Sequence, residues 1–227
     1  CPGPLTFILK LKKDSKISKF VTNKKKTLAV RFPSHPKAKC LLKLLNYPLA
    51  APSANISSRV SPVTRNHVKE EFGKKIKYII EGGPSKIGLE STIINLTGKP
   101  EILRLGSIDI NKLSKALKRK LIYRKKTYIK VPGQNRLHYS PGIPLKMNCK
   151  EASLDEAFIL VKKRDNSNKN FFYLSKNKNL KEAARNLYSV LRMIKKKGYK
   201  KIAVEKIENK GIGLAINDRL QKASSKK

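Results

Sequence analysis

From Lys120 to Asn148 the chain shows no clear hydrophobic periodicity; it is rich in basic residues and punctuated by Pro132-Gly133, Pro141-Gly142 and Pro144. Regular patterning stops before this stretch and restarts after it. So long an aperiodic run is uncommon inside one compact domain, and it reads as a linker or lid between two folded parts. The division predicted is a first domain over residues 1–120, a linker over 121–149 and a second domain over 150–227.

On the N-terminal side, Leu5–Leu11 is an apolar run after Pro2-Gly3-Pro4 and predicts a buried strand, and Thr27–Phe32 alternates as a strand does. Lys12–Lys26, between them, is basic and reads as a loop or short helix. Pro36–Leu45 places Ala38, Leu41, Leu42 and Leu45 at helical spacing. Pro48–Pro52 reads as a small-residue strand, and Tyr78–Ile80 as a strand ending at Gly82-Gly83-Pro84. Ser61-Pro62 is placed to cap a helix that continues through His67–Phe72. Ser91–Asn95 and Glu101–Arg104 predict two strands around a Thr97-Gly98 turn, and Ile108–Leu117 a short helix.

Beyond the linker, Ala157–Val161, Phe171–Leu174 and Lys201–Val204 read as strands. Leu180–Lys197 is amphipathic, with Leu180, Ala183, Ala184, Leu187, Val190, Leu191 and Ile194 on one face. Leu214–Ala223 is a last amphipathic helix. Strands alternating with helices predict an α/β architecture.

The formal charge is +38, from 53 basic and 15 acidic residues, and 42 of the basic residues are lysine. Such an excess favours polyanionic partners and some nonspecific RNA affinity. The same excess also arises from lysine accumulating on solvated faces. No apolar run reaches the roughly 18 residues of a membrane span. Cys1, Cys40 and Cys149 are too far apart for a zinc knuckle or a disulfide framework, which fits a reducing, cytoplasmic setting. The chain opens without methionine and without the regions of a signal peptide, inside what reads as a structured segment. A fragment is expected. Walker, dinucleotide-binding, HExxH and CxxC patterns are absent from the sequence.

Four segments have side chains suited to chemistry. Ala51-Pro52-Ser53-Ala54-Asn55, followed by Ser57, Ser58 and Ser61, combines small residues with hydroxyls suited to phosphate, and by composition alone it reads equally as a Ser/Asn-rich turn. Gly88-Leu89-Glu90-Ser91-Thr92 sets two hydroxyls after a carboxylate, as a substrate pocket or a turn leading into a strand would. Arg31 and Arg104 end apolar strands, where arginine must be exposed or paired. Either one offers a planar fork to carboxylate or phosphate, or is an ordinary surface arginine. His138-Tyr139, in the Pro/Gly linker, is placed to close over a ligand, or is merely solvent-exposed. His35 and His67 read as structural or surface residues.

Taken in order, these segments resemble the YrdC-related threonylcarbamoyl-AMP synthases in their two-domain form. Pro2-Gly3-Pro4-Leu5-Thr6 resembles the family's P-G-P-[LV]-T strand, and Ala29-Val30-Arg31 with His35-Pro36 its A-V-R…H-P segment. Pro52-Ser53-Ala54-Asn55-Ile56-Ser57 with Ser61-Pro62 is similar to its S-A-N-x-S…S-P segment. Gly82-Gly83, Gly88-Leu89-Glu90-Ser91-Thr92-Ile93 and Ile102-Leu103-Arg104-Leu105-Gly106 are similar to its G-G…G-x-E-S-T…I-L-R-x-G segments. Pro132-Gly133 with His138-Tyr139-Ser140-Pro141 resembles its interdomain linker. Ala183–Tyr188 and Gly213–Leu220 resemble landmarks of its C-terminal domain. The chain departs from the pattern at Cys1 (tryptophan in the family), Ser58 (glycine) and Ser140 (alanine). It also lacks the family's N-terminal P-T-[DE]-T-x-Y-G-L and K-x-R segments.

The resemblance implies a YrdC-like twisted sheet domain, incomplete at its N-terminus, followed by a small Rossmann-like α/β domain. It implies synthesis of threonylcarbamoyl-AMP and pyrophosphate from L-threonine, bicarbonate and ATP with Mg2+, without a covalent nucleophile. The product would serve a downstream tRNA-modifying threonylcarbamoyl transferase. Thr27, Ser53, Ser61, Arg104 and His138 would contact ATP. Arg31, Ala51 and Ser91 would hold threonine, with Asn55 and Tyr139 in support. Two other readings stand beside it: a non-catalytic double-stranded-RNA-binding protein of the same fold, and an inactive fragment.

Overall fold

The computed structural model describes residues 1–123, 131, 133, 138–166 and 168–224. Within the linker, residues 124–130, 132 and 134–137 lie outside the described residues, including Pro132 and Arg136. Two compact units form. The first combines Cys1–Pro52 with Glu90–Pro132, and the second combines Ser53–Leu89 with Gly133–Lys227.

The first unit holds a four-stranded mixed sheet. Its strands are β1 (Leu5–Lys10), β2 (Thr27–Arg31), β3 (Thr92–Asn95) and β4 (Glu101–Arg104), in the order β2-β1-β3-β4. β1 runs antiparallel to β2 and parallel to β3, and β3 turns back into β4. Ile8, Ile93 and Leu103 form its buried cluster with Val131. The short α1 (Lys19–Thr22) lies in the basic excursion between β1 and β2, and α2 is Pro36–Lys43. Ala38, Leu41, Leu42 and Leu45 are half-buried, so the helical spacing read from the sequence marks the inward face of α2. The last helix of this unit, α4 (Ile110–Ala116), is capped by Asp109, whose carboxylate accepts from the amides of Asn111 and Lys112.

The second unit carries α3 (Arg65–Phe72) and a four-stranded, all-parallel sheet. That sheet consists of β5 (Leu145–Lys146), β6 (Ala157–Lys162), β7 (Phe171–Ser175) and β8 (Ile202–Val204), in the order β5-β8-β6-β7. A parallel sheet covered on both faces needs near-continuous apolar strands, and Ala157 through Val161 are all buried. α5 (Leu180–Lys196) buries Ala183, Ala184, Leu187, Tyr188, Val190, Leu191 and Ile194, the stripe its spacing predicts. A buried leucine stabilises by roughly 1.5–3 kcal/mol. Asn179 caps α5 by accepting from the amides of Lys181 and Glu182, and Gly198 ends it with a left-handed φ of +82°. α6 (Gly213–Ser224) completes the unit.

Three sequence expectations are corrected. Pro48–Pro52 and Tyr78–Ile80 form no strand. Pro48 and Pro52 have no N–H to give a ladder, and Tyr78 and Ile80 are exposed without a neighbouring strand. Ser61 does not cap a helix. Thr64 does so, accepting from the His67 amide, and Ser61 is buried ahead of the cap. β5 carries too short an apolar signal to be read from the sequence.

Candidate functional site

In the first unit, strand register gathers the side chains. Thr6 stands opposite Arg31 on one side and Ile93 on the other, and Ile93 stands opposite Arg104. One transverse row of the sheet therefore runs Arg31, Thr6, Ile93, Arg104. A register shift between Ile93 and Ile94 sets Arg104 in that row, and local irregularities of this kind re-aim side chains.

Ser91, two residues before Ile93, is the hub of this row. Its hydroxyl lies 2.7 Å from that of Thr6. Arg104 donates from Nε to the Ser91 carbonyl at 3.0 Å and from Nη2 to the Ser91 hydroxyl at 3.1 Å. All three residues are buried. In water-poor surroundings a guanidinium needs such partners, and a fork closed on one residue fixes that residue's hydroxyl in space. Gly106 makes the close approach possible. A Cβ there would fall 2.3 Å from the Thr92 nitrogen and 2.7 Å from the Glu90 carbonyl oxygen.

Arg31 differs from Arg104. It is exposed, and its Nε donates to the Gly3 carbonyl at 3.2 Å. Its terminal nitrogens have no partner among the described residues. Partial burial of the guanidinium pulls its pKa below the ordinary arginine value, though arginine stays charged at any physiological pH. Anchored at Nε, with both Nη groups available, it has the form of a carboxylate fork. Thr27 is half-buried on the same strand, paired with Lys10, and Ala51 is exposed. Two hollows in this unit, one lined by Lys99, Arg119 and Lys120 and one by Lys10, Asp14 and Ile17, include none of the candidate residues.

In the second unit, the Ser53–Ser61 segment is a tied loop. Asn55 Nδ2 donates to the carbonyls of Ile56 and Arg59, and the Ile56 amide donates to Glu71 Oε1. The Asn55 Oδ1 atom is buried without a partner among the described residues. Ser53 is exposed and Ser61 buried. Ser58 has a φ of +67°, the left-handed region that favours glycine, and its carbonyl accepts from the Ser140 amide at 2.8 Å. Gly88 has a φ of +80°, and a Cβ there would fall 2.4 Å from the Arg185 Cα on α5.

His138-Tyr139 belongs to this unit as well. Tyr139 is buried, its ring stacked on Tyr188 at 5.7 Å with the Arg219 guanidinium 5.0 Å from its centroid. Arg219 is itself buried and paired with Asp218, which also binds Lys222. Tyr139 thus pins the end of the linker to α6 and α5. His138 is half-buried next to it, with ring centroids 4.1 Å apart, and its amide donates to the Lys222 carbonyl.

The structure thus joins Ser91 to Arg104 and sets Arg31 in their row. It also ties Asn55 into its loop and seats His138 beside Tyr139. Thr6 was missed by sequence reasoning as a site residue. Its signal was present, a hydroxyl at the end of Pro2-Gly3-Pro4-Leu5-Thr6, but the partner that gives it meaning is 85 residues away. Among the described residues no group of three His, Cys, Asp or Glu side chains forms that would hold a metal ion.

Comparisons with known proteins point one way. A Sua5, YciO and YrdC family model, described as telomere recombination, matches residues 1–106. A second model, described as the C-terminal domain of threonylcarbamoyl-AMP synthase, matches residues 107–225. The threonylcarbamoyl-AMP synthase of Pyrococcus abyssi is 35% identical, over 98% of this chain and 71% of the relative. Its Schizosaccharomyces pombe namesake is 33% identical, over 99% of this chain and 64% of the relative. That of Bacillus subtilis is 31% identical, over 98% and 70%. The chain therefore spans about two thirds of each relative's length. The crystal structure of P. abyssi Sua5 complexed with L-threonine superposes with a TM-score of 0.86 at 33% identity, covering 98% of this chain and 71% of that one. A P. abyssi Sua5 variant with a histidine and the following tyrosine changed to alanine gives 0.81 at 33% identity, over 98% and 70%.

Proposed function

Because the chain belongs to the Sua5 and YrdC family of threonylcarbamoyl-AMP synthases, we propose that it makes threonylcarbamoyl-AMP and pyrophosphate from L-threonine, bicarbonate and ATP. It is a nucleotidyltransferase, and its product feeds threonylcarbamoyladenosine formation on tRNA through a separate transferase.

The observation that carries this reading is the row of Arg31, Thr6 and Arg104 with Ser91 at its hub. Arg31 binds the threonine carboxylate with its two Nη groups, a contact a lysine point charge does not copy. Ser91, its hydroxyl oriented by Thr6 and Arg104, lines the threonine pocket with Ala51. The relative solved with L-threonine supports the substrate class.

The threonine amine attacks the bicarbonate carbon, a C–O bond of bicarbonate breaks, and water leaves carrying an amine proton, which gives the carbamate. A carbamate oxygen attacks the α-phosphorus of ATP, the bond to the β-phosphate oxygen breaks, and pyrophosphate leaves with its electron pair. Such chemistry depends on positioning and on stabilising negative charge, and needs no covalent nucleophile. Thr27, Ser53, Ser61, Arg104 and His138 bind ATP, and the tied loop around Asn55 presents its amides and hydroxyls to phosphate. Mg2+ bound with ATP would neutralise charge on the phosphates.

No helix among the described residues is long and apolar enough to cross a membrane, and the cytoplasm is the proposed location. The +38 charge supports a nonspecific RNA affinity beside the enzymatic one. The experiment is pyrophosphate release from ATP, which should require both threonine and bicarbonate. Salt-steep RNA binding with no threonine-dependent release would replace this reading with the RNA-binding one.

A further inference from the structure

Arg192 sits on α5, far along the chain from the Ser53–Ser61 loop, yet it holds that loop directly. Its Nη2 donates to the Val60 carbonyl at 2.5 Å and to Glu71 Oε2 at 3.0 Å. The other carboxylate oxygen of Glu71 accepts from the Ile56 amide at 3.0 Å. The side chains are little exposed, 16% for Arg192 and 5% for Glu71, so this is a largely desolvated ion pair rather than a surface one. Two points of one short loop, Ile56 and Val60, are thus fastened to a single charge pair. The middle is fastened as well, through the Ser58 carbonyl to the Ser140 amide next to Tyr139. The same helix receives Gly88, where a side chain would strike the Arg185 backbone.

A desolvated arginine whose Nη2 reaches both a loop carbonyl and a carboxylate that itself grips the loop does more than stabilise the fold. It sets where the loop's amides and hydroxyls point. We propose that Arg192, with Glu71, is the positioning pair for the nucleotide-binding loop. The C-terminal α/β portion then acts on ATP binding through α5 as well as through the linker. This rests on the reading of that loop as an ATP contact. Threonine is held by Arg31 and Ser91 of the first unit, so the pair should act on ATP selectively.

The test is on the full-length protein, with ATP affinity measured by calorimetry, threonine affinity measured separately, and backbone amide exchange followed at Ile56. Arg192→Met should weaken ATP binding about tenfold, the scale of a lost charge-assisted hydrogen bond, and accelerate exchange at Ile56. Threonine affinity should change less than about twofold, within the spread of sites that share no partner. Arg192→Lys should fall between wild type and Arg192→Met, because a shorter, freely rotating ammonium restores the charge but does not hold its donor where the rigid guanidinium places Nη2. Glu71→Gln keeps an acceptor for Ile56 and loses the ion pair. It should weaken ATP binding in the same direction, and it decides the matter if Arg192→Met does not fold. Unchanged ATP affinity in the folded variants, or an equal loss for ATP and threonine, overturns the proposal. A wild-type protein that binds ATP but releases no pyrophosphate overturns the proposed reaction and leaves this inference standing.

Discussion

The Ser91 hydroxyl lies 2.7 Å from that of Thr6 and 3.1 Å from Arg104 Nη2, and all three residues are buried in the first unit. Removing it takes one buried hydrogen bond from Thr6 and one from Arg104, which costs about 1–3 kcal/mol. Ser91→Ala should lower unfolding free energy by that amount in urea titrations. It should also raise KM for threonine more than KM for ATP. Thr6→Val combined with Ser91→Ala should cost less than the sum of the two, since the second change removes the partner the first one orphaned. Strict additivity would show that the two hydroxyls do not interact.

Arg31 has only Nε committed, to the Gly3 carbonyl. Arg31→Lys keeps the charge and loses both the anchor and the fork. Threonine affinity should fall about tenfold, the scale of one charge-assisted hydrogen bond, with ATP affinity within about twofold of wild type. Isothermal titration of each ligand separates the two. Equal losses would mean that Arg31 supports the sheet rather than the substrate.

Local pattern made much of this fold legible. The apolar runs at Leu5, Thr27 and Ala157 became strands because a sheet buries such runs, and the stripe from Leu180 to Ile194 became the inward face of α5. Pairing across sequence was not legible. Nothing near Thr6 announces Ser91, and nothing near Arg192 announces Val60 and Glu71, which are 132 and 121 residues away. Arg192 looks like an ordinary helix-surface arginine until the loop is placed against it. Pro48–Pro52 and Tyr78–Ile80 misled for a related reason. Strand-like composition makes a strand only where another strand supplies partners.

His67 provides a pH handle near the same loop. Its Nδ1 accepts from the Val63 amide at 3.3 Å, which only a ring unprotonated at that nitrogen can do. Burial pulls its pKa below the ordinary 6.5, the nearby positive charge of Arg192 and more weakly of Lys196 adds to this, and Glu70 opposes it. The folded protein therefore binds the proton less readily than the unfolded chain. Stability should be unaffected by His67 above about pH 6.5 and should fall as pH drops from there toward the depressed folded value. Urea unfolding at pH 7.5 and pH 5.5 measures the drop. His67→Asn retains an acceptor near the Nδ1 position without titrating, so it should shrink that difference. An undiminished difference would assign the acid sensitivity to another group.

Ser58 is the last test, because its residue type and its backbone disagree. Its φ of +67° lies in the left-handed region, where a non-glycine residue costs roughly 1–2 kcal/mol. Glycine relieves that cost but gives back about 0.4–1 kcal/mol through greater freedom of the unfolded chain. Ser58→Gly should therefore stabilise slightly, by about 0.5 kcal/mol, where glycine at an ordinary position destabilises. The conformation is held by the Ser140 amide, which donates to the Ser58 carbonyl at 2.8 Å. Ser140→Pro removes that donor, and with it the tie between the loop and the end of the linker. It should cancel the gain from Ser58→Gly and weaken ATP binding in the same direction as Arg192→Met. A Ser58→Gly protein less stable than wild type in urea would mean that the serine side chain makes a contribution exceeding its backbone strain.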